Sequence, residues 1–323
     1  MKYVVWATIV AAGVFAVMFW LLRNPLFASP DKVSPISVSA DELRADVEYL
    51  AGLTPNRSVA NLASLNHAAD YIRKELEKTG CSVREQRFGL RDVTLRNVSC
   101  FTGPEDAPRL IIGAHYDVYS SRNPGADDNA SGVAGLLALA RLIGRETPAL
   151  KHQIEFVAYA HEERSNIGPS LTGSANHANR MKRQRVDLKL MISIEMIGYF
   201  KDAPGSQRVP LAILEPFYPD VANFIGVVGE LFDRSNVRRV KSLMQSAGDL
   251  PVYSLNAPAF IPEAGFSDHR SYWEQGLPAV MVTDTAFLRN PNYHKHTDTP
   301  DTLDYERMAK VVQGLYEVAT KLP

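Results

Sequence analysis

Three apolar, strand-like runs in this chain end in side chains able to hold a metal ion. RLIIGAHYDV reaches His115 and Asp117, and the loop PGADDNASG behind it carries Asp127 and Asp128. QIEFVAYA runs into His161, Glu162 and Glu163, while KLMISIE reaches Glu195 within an apolar stretch. A carboxylate left unpaired there would be costly, so Glu195 calls for a partner. Late in the chain, YHKHTDTPDTLDY adds His294, His296 and Asp298. These residue types suit two divalent cations about 3.5–4 Å apart, which share a carboxylate and take further imidazole and carboxylate ligands. Such a pair lowers the pKa of a bound water and polarises a substrate carbonyl. A spare carboxylate must then take the proton. In an adjacent Glu pair one side chain can bind metal while the other does this work, because consecutive side chains leave a strand end in different directions.

Each signal alone is weak. H-x-D occurs twice and adjacent acidic pairs four times, not far from what chance gives in a chain this acidic. The placement carries the argument, because a parallel sheet builds its site at the C-terminal ends of its strands. Other chemistries fail on specifics. HEERS lacks the second histidine of H-E-x-x-H, and no G-x-S-x-G elbow, Walker A loop or G-x-G-x-x-G is present. With 35 basic against 36 acidic residues, net charge −1, phosphate-driven binding of nucleic acid has no basic patch behind it. Two cysteines are too few for a cysteine-built zinc site or a disulfide scaffold. Outside the cytoplasm Cys81 and Cys100 could pair; two buried thiols is the equal alternative.

The elements that must position these residues read as a mainly parallel, helix-covered mixed α/β sheet. A capping box at Ser39-Ala-Asp-Glu42 opens a helix to about Leu53, and a second helix runs from Leu62 to Gly80. CSVREQRF, RLIIGAHYDV, QIEFVAYA and KLMISIEMIGYF are strand-like, with a helix over SGVAGLLALARLI between the second and third. A helix is expected over Val221–Asp233, then a strand at PAVMVTD and a last helix over Leu303–Leu322. The 201–265 stretch carries little other signal.

Between Lys2 and Arg23 no residue is charged. About twenty residues at roughly 1.5 Å each match the hydrocarbon core of a bilayer, and the small-residue signature of a cleavage site is poor. The expectation is an N-terminal transmembrane helix over 1–23 that contacts the membrane through residues 3–22. A Pro-rich linker over 24–38 and a catalytic domain over 39–323 follow, the last outside the cytoplasm (periplasmic or extracellular).

GAHYD, PGADDNASG, the EE pair followed by Gly173-Ser174, IEMIGYF and the late NYH together resemble the co-catalytic dizinc aminopeptidases. These are the secreted bacterial aminopeptidases and aminopeptidase Y, within the clan of zinc exopeptidases. The resemblance spans roughly residues 39–323. It implies a three-layer sandwich, two Zn2+ ions, and peptide substrates with a free N-terminus. It further implies Asp128 as the bridging carboxylate, His115 and Glu195 on one metal, and Glu163 and His294 on the other. Glu162 would be the general base, Asp117 would orient His115, and Tyr293 would help polarise the scissile carbonyl. Many relatives have Asp where this chain has Glu195, which leaves metal spacing and preference open. His67, His152, His161, His177 and His296 are expected to be structural or surface residues. Asp268-His269 reads either as a pocket neighbour or as a helix start. Alternatives within the clan are a glutaminyl-cyclase-like zinc aminoacyltransferase and a carboxypeptidase, the latter needing a cation such as Arg122, Arg164 or Arg270. A non-catalytic, receptor-like binding domain is the alternative of another class.

Overall fold

The computed structural model describes residues 2–25, 36–90, 92–163, 171–258 and 260–323, with the side chains at 2, 4, 7, 11 and 14 left out. Its centre is an eight-stranded mixed sheet in the order β1-β2-β4-β3-β5-β8-β6-β7. The strands are β1 (Ser82–Leu90), β2 (Val93–Thr102), β3 (Arg109–His115), β4 (Gln153–Tyr159), β5 (Leu188–Glu195), β6 (Ile225–Glu230), β7 (Val252–Ala257) and β8 (Ala279–Thr283). The middle four, β4, β3, β5 and β8, run parallel. Their C-terminal ends therefore share one edge of the sheet.

Register sets the site's level. His115 pairs with Tyr159 across β3–β4, Gly113 with Ser193 across β3–β5, and Glu195 with Thr283 across β5–β8. Alternation along the central strands β3 and β5 then feeds two cores. Leu110, Ile112 and Ala114 of β3 join Leu190, Ile192 and Ile194 of β5 in the larger core, while Ile111 and Met191 face the other side. The larger core is covered by α2 (Ala40–Ala51), α3 (Leu62–Glu77), α4 (Gly132–Glu146), α6 (Arg234–Ser246) and α8 (Tyr305–Lys321). Helix α5 (Gly173–Gln184) and the short α7 (His269–Trp273) cover the smaller. Strands buried on both faces explain why these runs read as continuously apolar. The capping box is present, with Glu42 N donating to Ser39 Oγ at 3.2 Å.

Two expectations need correction. The helix expected over Val221–Asp233 is absent: β-branched Ile225, Val227 and Val228 form β6, parallel to β7 and antiparallel to β8. The helix starts only at Arg234. Strand β7 went unread because polar residues interrupt its apolar pattern. The membrane-spanning anchor is not supported either. Helix α1 covers Lys2–Arg23, but among the described residues no helix is long and apolar enough to cross a membrane. Its second half instead lies against the domain, with Leu22 buried and Phe15 stacked on Phe217 at 4.5 Å between ring centres. Most of the expected linker, residues 26–35, lies outside the described residues.

Cys81, just before β1, and Cys100 on β2 form a disulfide across the edge pair, their Cα atoms 5.7 Å apart. Closing a loop of this size removes unfolded-state entropy worth about 3 kcal/mol. The Cys81→Ser/Cys100→Ser double variant is expected to unfold at lower denaturant with a loss of about 2–4 kcal/mol. An unchanged midpoint would contradict the bond.

Candidate metal centre

His115 ends β3 and directs Nε2 at two carboxylates, Glu195 Oε2 at 3.3 Å and Asp128 Oδ1 at 3.5 Å. On its other side Nδ1 lies 3.4 Å from Asp117 Oδ1. The Asp117 carboxylate also accepts the backbone N–H groups of Glu162 at 3.0 Å and Glu163 at 3.3 Å. One fully buried carboxylate thus orients the imidazole after β3 and fixes the Glu pair after β4.

Asp128 lies in the loop between β3 and α4, and the Asp128–Asn129 peptide bond is cis. Apart from Asp128, every polar side chain of the ADDNAS segment is hydrogen-bonded. Asp127 accepts from Gly198 N at 2.9 Å and Asn290 Nδ2 at 2.6 Å. Asn129 donates to Ile194 O at 2.9 Å and accepts from Met196 N at 3.0 Å, and Ser131 accepts from Ile197 N at 3.0 Å. The loop is thereby stitched to the end of β5. From the far side, Asp298 accepts the N–H groups of Asp127 and Asp128 at 2.9 and 3.1 Å. Below it, the fully buried Arg57 donates to Leu50 O at 3.1 Å, to Pro124 O at 2.6 Å and to Gly125 O. Gly125 has φ +66°, and a Cβ there would strike Asp128 O and Val118. Only glycine fits this turn.

The second oxygen of Asp128 faces His294, whose Nε2 lies 3.2 Å from Asp128 Oδ2 and 3.0 Å from Glu163 Oε2. The His294 ring is sandwiched between Tyr119 and Tyr293, with ring centres 3.9 and 3.7 Å away and planes within 9° and 19°. Two groups of potential ligands result, His115–Asp128–Glu195 and Asp128–Glu163–His294, joined by Asp128.

The electrostatics favour cations. Among the described residues, none of Asp117, Asp128, Glu163 and Glu195 pairs with a Lys or Arg, only with imidazoles. Burial, reinforced by the charge on Asp128, pushes Glu163 up to about 8, and burial also raises Glu162 and Glu195. For His294, burial opposes the charge, but Asp128 and Glu163 outweigh it and lift the imidazole to about 10. His115 rises in the same way, and Asp128 is held down by the two imidazoles against its burial. Asp128 Oδ2, Glu163 Oε1 and His294 Nε2 are buried and make no hydrogen bond. Mixed imidazole and carboxylate donors with buried, unused lone pairs fit divalent cations of the zinc type.

Glu162 and Tyr293 line the same cleft, together with Tyr119, Ser267 and Arg270. Burial, with the nearby carboxylates, raises the Tyr293 phenol, so it stays a hydrogen-bond donor. Glu195 accepts from Ser267 Oγ at 2.8 Å. His67 and His296 are exposed. His152 contacts Leu322 O at 2.8 Å, and His177 lies buried between Glu155 and Tyr272. Asp268, buried, precedes α7 without a side-chain capping bond, while His269 contacts Ala264 O at 2.8 Å. Of the cations considered for a terminal carboxylate, Arg270 reaches the cleft rim, where Glu274 holds it at 2.9 Å. Arg122 is exposed and Arg164 lies outside the described residues. Sequence reasoning missed Tyr119, Arg57, Asn129 and Ser267. The H-x-D pattern around Asp298 was the only available signal for that residue.

Residues 97–319 match the model of peptidase family M28. The uncharacterized protein YfbL of Escherichia coli strain K12 is 44% identical over 299 residues, which cover 90% of each chain. A probable leucine aminopeptidase of Arthroderma benhamiae is 25% identical over 308 residues, 89% of this chain and 75% of that one. Among solved structures, the Legionella pneumophila LapA aminopeptidase superposes with TM-score 0.71 at 24% identity, over 88% of this chain and 73% of that one. The Porphyromonas gingivalis glutaminyl cyclase shares the fold at TM-score 0.65 and 19% identity, over 87% and 98%. The family match spans more than half of the chain, and the YfbL likeness runs nearly end to end: this chain belongs to peptidase family M28.

Proposed function

We propose that this chain is a metal-dependent exopeptidase that removes N-terminal residues from peptides, using two divalent cations, zinc being the expected metal. The observation that carries the reading is Asp128, whose two carboxylate oxygens face two separate imidazoles, each with its own Glu. In this reading His115, Asp128 and Glu195 hold one cation, and Asp128, Glu163 and His294 the other. When bound, the cations supply Lewis acidity toward the scissile carbonyl and bring a water's pKa toward neutrality. Glu162, lining the cleft beside Glu163, takes the water's proton and delivers it to the leaving amine. Tyr293 donates a hydrogen bond to the carbonyl oxygen. Asp117 keeps His115 and the Glu162–Glu163 backbone in place.

Substrate choice follows from a neighbouring cavity of about 110 Å3 that meets the cleft at Glu195, Phe266 and Tyr293. Its walls, among them Leu214, Val228, Leu255 and Met281, are apolar, which supports a preference for apolar N-terminal residues. The leucine aminopeptidase among the relatives points the same way. Work outside the cytoplasm is supported by the Cys81–Cys100 disulfide. The cyclase reading shares the fold and is kept apart by experiment.

Mass spectrometry of a mixture of free, N-acetylated and N-terminal-Gln peptides tests this. Stepwise loss of residues from free N-termini alone is expected, fastest for apolar ones. Loss of ammonia from the Gln peptides alone would replace this reading with a cyclase. Glu162→Gln is expected to keep its metal while turnover falls by about 10²-fold or more; unchanged turnover removes Glu162 from the mechanism. Metal loading provides a further check. Without metal, burial raises Glu163 and the carboxylates raise His294, so this pair holds at least one proton at pH 7. Ligands must shed it to bind, so calorimetry with zinc in buffers of different ionisation enthalpy should show at least about one proton released per chain. Affinity should also weaken as pH falls. Binding without proton release would contradict the ligand set.

A further inference from the structure

The chain leaves α1 through a built polar lock. The backbone oxygen of Arg23 accepts from Lys241 Nζ and from Ser254 Oγ, both at 2.9 Å, and Asn24 O accepts from Lys241 Nζ at 3.1 Å. The ammonium thus meets the carbonyl end of the helix, where the helix dipole favours positive charge. Asn24 is fully buried with φ +43°, a left-handed position suited to asparagine after a helix. Its amide donates to Asn256 Oδ1 and, at 3.4 Å, to Ser254 Oγ, while Asn256 in turn donates to Glu230 O at 2.6 Å. Arg234 adds a hydrogen bond to Trp20 O at 2.8 Å and lies over the Trp20 ring.

Two residues of this lock, Ser254 and Asn256, belong to β7, and Tyr253, Ser254 and Leu255 line the apolar cavity beside the metal centre. Leu22 is buried in one apolar cluster with Leu214, Val228, Ile261 and Met281. Those four side chains also line the cavity. Their inner surfaces face the space beside Glu195 and Tyr293, and α1 packs within the same cluster. From this shared wall we infer that the last turn of α1 is a specificity element, whose seating fixes the depth of the cavity that receives the substrate's N-terminal side chain. The assignment of that cavity rests on the exopeptidase reading above.

Truncating Leu22 leaves space within the cluster it shares with Leu214 and Ile261, and the wall relaxes outward, as partly filled cores do. Breaking the lock at Lys241 loosens the end of α1 without touching the cavity lining. The test compares full-length wild type, Leu22→Ala, Lys241→Met and, as a control on the exposed part of α1, Trp6→Ala. The first readout is the ratio of kcat/KM for N-terminal Phe over N-terminal Ala peptides. Leu22→Ala and Lys241→Met should both raise it, by about tenfold for the former, with turnover of the Ala peptide kept and Trp6→Ala unchanged. Ratios equal to wild type in both variants overturn the inference. The second readout needs no catalysis: calorimetric affinity for n-octylamine relative to n-butylamine in the zinc-loaded chain. Leu22→Ala should raise this ratio by about tenfold as well, and an unchanged ratio overturns the inference. Absence of peptide hydrolysis in wild type overturns the exopeptidase reading alone, and the amine series still decides the role of α1.

Discussion

Like charges forced together in a buried cleft are the constraint on which this structure depends. Asp117, Asp128, Glu162, Glu163 and Glu195 converge where parallel strands end, with the imidazoles of His115 and His294 set among them. Such a gathering is unfavourable unless positive charge fills it or the carboxyls stay protonated. The raised positions of Glu162, Glu163 and Glu195, and the raised imidazoles, are the protein's response when protons alone supply that charge. Divalent cations do so more completely and leave Glu162 free to exchange a proton.

Holding repelling groups in place requires supports that carry no competing charge into the cleft. The donors used are almost all neutral. They are backbone N–H groups onto Asp117 and Asp127, the Asn129 amide onto Ile194 O, and the Ser267 hydroxyl onto Glu195. Arg57 is the exception, and it contacts backbone carbonyls rather than the carboxylates, placing its charge beneath the loop without quenching any ligand. The aromatic clamp of Tyr119 and Tyr293 holds His294 by its faces, so its Nε2 stays available. Ligands preset in this way lose little freedom on binding a metal.

What could be read beforehand follows from how local each signal is. The strand ends at His115, Glu162–Glu163 and Glu195 were legible, since a buried parallel strand leaves a run of apolar residues whose end is easy to see. Residues 221–233 were misread, because Ile225-Gly-Val-Val-Gly is too short for periodicity to separate a strand from a helix. Tyr119 and Arg57 left no trace in the sequence. A lone tyrosine or arginine is ordinary, and each acquires its role only when a distant segment folds against it. The apolar stretch before Arg23 shows the opposite failure. Hydropathy alone suggested a bilayer, whereas Leu22 and Phe15 lie against the domain. The last turn of that helix packs in the same cluster as the cavity wall, a relation no local pattern carries.

The most direct test of the two-cation cleft is X-ray diffraction at the zinc edge from crystals of the full chain grown with zinc. Two anomalous peaks about 3.5–4 Å apart are expected, one beside His115 and Glu195, the other beside Glu163 and His294, with the Asp128 carboxylate between them. A single peak, or two peaks that do not share Asp128, would contradict it.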